Sequence, residues 1–221
     1  MAVNEAYDWT RYFDAVKDLP PRETVLKALE LFDAERAAAQ RLALAGAGGD
    51  AQRPLAIDLG CGDGRDALEL LRRGWRVIAI DSTPDAVRRL MDRCPVEHMD
   101  RLEARVQRFE DARLVPCHLV VASFSIPHTD PADFPDLWKS LTRAVLPGGR
   151  FAGQLFGVKD EWAQKPDGVT RTYHTREQVD ALLAEAGLVP EMLDEIERDG
   201  KNAFGEPKHW HVFHIVARKR G

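Results

Sequence analysis

The stretch "AIDLGCGDGRD", Ala56 to Asp66, constrains this chain more than any other. The apolar run "LAIDL" reads as a buried strand, and it stops at Gly60, Gly62 and Gly64, which alternate with other residues. Ala67, Leu68 and Leu71 then mark one face of a helix that ends at Gly74. A strand that turns through glycines into a helix presents backbone amides at the helix start and lets a ligand approach the main chain closely. The stretch therefore predicts a βα unit built around a small-molecule site.

The rest of the chain repeats this unit. "RVIAID" is a second strand, followed by a helix with Ser82 or Thr83 as its cap, Pro84 near its start and Val87, Leu90 and Met91 on its face. "ARVQRF", "HLVVAS" and "RFAGQLF" are three more strands, and a helix around Leu137 to Val145, stopping at "PGG", separates the last two. "TREQ", Thr175 to Gln178, is a capping box opening a helix that ends at Gly187. The runs "LVPEMLDEIER" and "HWHVFHIVARK" have no helix between them and form an antiparallel pair. Alternating βα units predict an α/β fold, a Rossmann-like doubly wound sheet with helices on both faces. The final hairpin makes it a mixed seven-stranded sheet with one reversed strand. The reading is one domain over residues 1–221, with a core at 55–221, a loose linker "AGAGGDAQRP" before it, and an N-terminal helical segment at 1–44.

Composition narrows the function. With 221 residues, 44% apolar and 30% charged, the chain suits one soluble globular domain. No apolar run approaches the ~20 residues of a membrane helix. Cys61, Cys94 and Cys117 are scattered, with no CxxC pair, so neither a disulfide framework nor a metal site is expected and a cytoplasmic location is. A net charge of −5 leaves no footprint for nucleic acid. The expected partner is a small molecule; the sequence does not set the oligomeric state.

Two cofactor classes share a glycine turn followed by an acid ending the second strand. The dinucleotide fingerprint needs GxGxxG, but Arg65 occupies the position of its third glycine. Asp58, two residues before Gly60, can reach the ammonium of an amino-acid moiety, and Asp81 can accept both hydroxyls of a ribose. Cys61, between two glycines, suits a small filler better than a nucleophile.

On these residues the chain resembles the class I S-adenosylmethionine-dependent methyltransferases over nearly its whole length. "AIDLGCGDG" is similar to their first motif, Asp81 to their ribose-binding acid, and "LTRAVLPGGRF" to their lead into the fifth strand. "RFEDARL" resembles the segment whose acid holds the adenine amino group, with Asp111 as first choice and Glu110 as its neighbour. The antiparallel last hairpin is also a mark of that family. Within it, "FAGQLFGVKDEW" and "KHWHVFHIVARK" resemble the tellurite-resistance type, which methylates small molecules, although His128 in "SIPHTDP" stands where relatives carry an aromatic. The resemblance implies S-adenosylmethionine as cofactor, with Ser82 and Ser123 completing its site.

In an open α/β sheet ligands lie outside the carboxyl ends of the parallel strands, so Asp160 and Trp162 border the site. A reversed strand starts where parallel ones end, which adds Lys208, His209, Trp210 and His211. Strand alternation sends His209 and His211 to one face and Trp210 to the other. Trp9 and Tyr12 are expected to cover the sulfonium as part of a lid, with Arg11 reaching towards the cofactor carboxylate. For an amine or hydroxyl acceptor, His128 or His211 is the candidate base, with an ordinary pKa of about 6.5. A soft anionic acceptor needs no base. A non-catalytic cofactor-binding protein remains open, and a nicotinamide-linked oxidoreductase is disfavoured by the glycine spacing.

Overall fold

The computed structural model describes residues 7–43 and 53–221. The first six residues of the expected lid and most of the expected linker lie outside the described residues. Among the described residues eight strands form one sheet: β1 (Leu55–Leu59), β2 (Arg76–Asp81), β3 (Leu102–Val106), β4 (Cys117–Ala122), β5 (Val145–Gly157), β6 (Tyr173–His174), β7 (Leu188–Lys201) and β8 (Pro207–Lys219). Their order is β3-β2-β1-β4-β5-β8-β7, with β6 paired to β5 off this path. The seven-stranded path agrees with the sequence. The two-residue β6 is additional, too short to leave a period-2 signal. Only β8 is reversed, antiparallel to both β5 and β7.

Among the described residues seven α-helices accompany the sheet: α1 (Trp9–Val16), α2 (Glu23–Ala43), α3 (Arg65–Arg72), α4 (Pro84–Arg93), α5 (Phe134–Ala144), α6 (Glu161–Gln164) and α7 (Arg176–Glu185). Strand alternation divides the core between two faces. Ile57, Val120, Phe151 and Phe213 meet α5 and α7 through Leu137, Leu141, Val179 and Leu183. Ala56, Val77, Val121 and Val216 meet Leu29 of α2, Leu70 of α3 and Leu90 of α4 on the other face. Burying a side chain such as Leu29 or Leu70 contributes about 1.5–3 kcal/mol, so these two layers fix where the strand ends lie.

Local chemistry sets the boundaries. The "TREQ" capping box is present, with the Gln178 amide donating to Thr175 Oγ1 and the Thr175 amide donating to Gln178 Oε1. Thr83 is the cap of α4, but its side chain makes no capping bond. Its amide instead donates to Asp81 Oδ1 at 2.9 Å. α2 belongs to the body of the fold, because Val25, Ala28 and Leu29 are fully buried against the sheet. Only α1 and the turn after it lie over the strand ends, tied to α4 by Arg89 and Asp14 at 2.6 Å. Among the described residues, no helix is long and apolar enough to cross a membrane.

Candidate active site

A cavity of about 580 Å³ opens at the carboxyl ends of the parallel strands. Its size suits a drug-sized ligand. The glycine loop forms its floor: Gly60, Gly62 and Gly64 have φ of +74°, +53° and +91°. At Gly60 the requirement is also steric, since a Cβ there would stand 2.3 Å from Ser125 Cβ. The Gly62 amide donates to Asp81 Oδ2 at 3.0 Å, which locks the loop to the end of β2.

Asp58 lies beneath this loop with 1% exposure, and its Oδ2 has no hydrogen-bond partner. Burial first, and then the neighbouring charges of Asp66 and Asp81, push its carboxyl well above the ordinary range. A cation placed against it would relieve both effects. Arg65 Nη1 and Ser123 Oγ are likewise buried without partners and belong to lining residues. Arg65 Nε donates to the Pro20 carbonyl, and the Arg22 guanidinium lies 4.5 Å from the Phe124 ring centroid. Asp58, Arg65 and the amides at the start of α3 thus offer a carboxylate, a cation and donors to an amino acid. Asp81 and Ser82 line the wall beside them. These residues fit the aminocarboxypropyl and ribose portions of S-adenosylmethionine.

Of the acidic pair after β3, both exposed, Glu110 lines the cavity with Phe109, whereas Asp111 is outside the lining. The first-choice residue is therefore displaced by one, because the loop after β3 has no strand register to fix it. Cys61 is buried at 5% exposure, with Sγ 3.7 Å from the Gly62 carbonyl oxygen, and burial pushes its thiol up. It packs as a small filler.

α1 closes the cavity from above. Trp9, Tyr12 and Phe13 line it, and Phe13 lies 3.4 Å from where a Gly62 Cβ would stand. Arg11 is not part of this lining. Its guanidinium lies 4.2 Å from the Phe204 ring centroid, so it clasps the β7–β8 turn, contrary to the expected reach towards a carboxylate. Arg22 and Arg65 take the cationic place.

The far end of the cavity is aromatic. Phe124, Phe156, Trp162 and Trp210 surround it, with the Trp162 and Trp210 centroids 5.5 Å apart. His128 joins this wall, 5.2 Å from Trp9 and 5.9 Å from Phe156. Its Nδ1 has no partner, and burial lowers its pKa to about 3. The expected titration near neutrality is overturned: the ring is neutral and takes up a proton poorly.

His211 is not a candidate base. Its Nδ1 accepts the Lys159 amide at 3.1 Å and its Nε2 lies 3.0 Å from Glu195, so both ring nitrogens are committed away from the cavity. His209 faces the same outer side, with Nδ1 2.7 Å from Asp199. Lys208 and Asp160 are also outside the lining. Lys208 Nζ donates to Asp160 Oδ1 at 2.5 Å and lies over the Trp162 and Trp210 rings, at 4.1 and 3.9 Å. Asp160 also accepts the Trp162 and His211 amides. The two residues brace the aromatic wall from behind, where direct contact with an acceptor was expected. Sequence reasoning missed His214, Ile196, Arg198 and Lys201, which line this end. Alternation from Trp210 to Val212 and His214 was the available signal.

The family model described as a methyltransferase domain matches residues 56–149. A comparison with curated proteins found no match. Among solved structures, TehB from Haemophilus influenzae is similar with a TM-score of 0.63 at 15% identity, over 77% of this chain and 59% of that one. An S-adenosylmethionine-dependent methyltransferase from Methanosarcina mazei gives 0.59 at 19%, over 76% and 93%. The 1,6-didemethyltoxoflavin-N1-methyltransferase of Burkholderia thailandensis gives 0.58 at 17%, over 100% and 92%. These neighbours share the fold, and the family match spans the glycine loop, Asp58 in β1, Asp81 at the end of β2 and the helix leading into β5. Residues 56–149 thus match a methyltransferase domain, and the fold is the one found in S-adenosylmethionine-dependent methyltransferases.

Proposed function

We propose that this protein transfers a methyl group from S-adenosylmethionine to a small-molecule acceptor held in the aromatic end of the cavity. One observation carries the reading: the unpartnered Asp58 Oδ2 and the aromatic chamber belong to one cavity, covered by α1. The cover favours a small molecule over a macromolecule, which needs an open groove. The Burkholderia neighbour, crystallised with 1,6-didemethyltoxoflavin and S-adenosylhomocysteine, supports a small acceptor by analogy of fold.

When bound, the cofactor supplies an electrophilic methyl on a sulfonium. The chain's own residues do the rest. Asp58 and Arg65 hold the amino-acid portion, Asp81 accepts from the ribose, and Glu110 accepts from the adenine amino group. Trp9, Tyr12 and Phe13 exclude water and offer ring faces to positive charge. In this reading residues 7–22 act as the lid of a single-domain enzyme.

The test is thermal unfolding with single additions. S-adenosylmethionine and S-adenosylhomocysteine should each raise the melting temperature and NAD should not. A ligand at ~100 times its Kd adds about 2.7 kcal/mol. No shift with either sulfur compound would overturn the proposal. A shift without methyl transfer to any small molecule would instead favour a non-catalytic binder.

A further inference from the structure

The carboxylates lining the cavity lie at one end, together with Arg22, Arg65 and Arg108. Asp58, Asp63 and Asp66 belong to the glycine loop and the start of α3, Asp81 to the end of β2, Glu110 to the loop after β3, and Asp130 and Asp133 to the β4–α5 loop. This acid-rich half suits a cofactor that carries an ammonium and a sulfonium against one carboxylate. The aromatic end is different. Among the described residues, its lining holds no carboxylate but does hold Arg198 and Lys201.

The β7–β8 register explains the division. Ile196 pairs with Val212 and Arg198 with Trp210, and directly paired residues share a face. Glu195, Glu197 and Asp199 alternate to the opposite face, where they meet His211, Lys159 and His209 at 3.0, 2.6 and 2.7 Å. The hairpin thus turns three acids outward with partners and Arg198 inward without one. Asp194 lies further along the strand, outside the lining. Lys201, the last residue of β7, also lines this rim, and neither cation has an ion pair among the described residues. Beside them are the flat faces of Trp162, Trp210, Phe124 and Phe156, and the unpartnered Nδ1 of His128.

Resting on the methyltransferase reading, we infer that the acceptor is a planar aromatic anion. Its ring lies among Phe156, Trp162 and Trp210, and its acidic group is directed to Arg198 and Lys201 at the mouth. Aromatic walls alone would also suit a cationic amine. The inward cations and outward acids oppose that choice. The neutral His128 adds a hydrogen-bonding atom without adding charge.

The test uses the full chain, with and without saturating S-adenosylhomocysteine, titrated with four probes. These are 2-naphthoate, the isosteric neutral 2-naphthamide, cationic 2-naphthylmethylammonium, and non-aromatic cyclohexanecarboxylate. 2-Naphthoate should bind about tenfold more tightly than the amide, and more tightly still than the other two. In the Arg198→Ala, Lys201→Ala double variant the acid–amide difference should vanish while S-adenosylhomocysteine affinity is unchanged. Equal binding of acid and amide, tighter binding of the cation, a preference that survives the double variant, or no aromatic binding at all would each overturn the inference. Loss of S-adenosylhomocysteine binding itself would count against the cofactor reading, and the acid preference of the ligand-free protein would still decide the acceptor class.

Discussion

Lys208 Nζ donates to Asp160 Oδ1 at 2.5 Å, with both side chains at most 2% exposed. Burial draws the Lys208 pKa down and the Asp160 carboxylate holds it up. Breaking one partner of a buried pair leaves an uncompensated charge, at a cost of about 3–5 kcal/mol. Asp160→Asn should therefore lower the unfolding free energy, measured by denaturant titration, by an amount in that range. It should also raise the acceptor KM, through movement of Trp162 and Trp210, with S-adenosylhomocysteine affinity unchanged. A loss below about 1 kcal/mol would show that the pair does not hold the wall.

Gly60 and Gly64 should rank differently on substitution. A Cβ on Gly60 meets the fixed Ser125 Cβ, whereas one on Gly64 meets Leu90 Cδ1, the end of a side chain that can turn. Both have positive φ and are strained as alanine. Gly60→Ala should be the more destabilising and should abolish cofactor binding, while Gly64→Ala should bind weakly. Equal Kd values for the two variants would contradict this ranking.

Asp58→Asn should separate stability from binding. The Asp58 carboxyl is raised in the folded chain, so its contribution to stability is full below the ordinary carboxylate range, about pH 4, and is lost as pH rises towards its folded value. At pH 7 the ligand-free variant should be as stable as the native chain or more so, yet its S-adenosylhomocysteine Kd should rise at least about tenfold. A variant that binds normally would remove the ammonium contact from the scheme.

His128 and His174 are lowered by burial to about 3 and about 4. A depressed histidine contributes stability that is present above its ordinary value of about 6.5 and lost as pH falls towards the folded value. Urea midpoints measured from pH 7 down to pH 4 should fall less steeply in His128→Gln than in the native chain. The turnover profile of the native enzyme should carry no histidine limb near pH 6.5. A limb there that disappears in His128→Gln would restore the general-base reading.

The sequence by itself determined the glycine loop, Asp58 and Asp81, because these depend only on neighbours within a strand and its following turn. It also determined that Trp210 and His211 part company, since alternation along a strand is local. Period 2 fixes which residues share a face but not which face looks into the cavity. That was decided when β8 entered between β5 and β7 and α1 folded over the strand ends, turning Trp210 inward and His211 towards Glu195. Arg22 and Arg65 joined one site by the same long-range packing, and the environment that keeps His128 neutral assembled from α1, β4 and β5. Burial and charge are sums over residues distant in the chain, so only the tertiary structure could assign these roles.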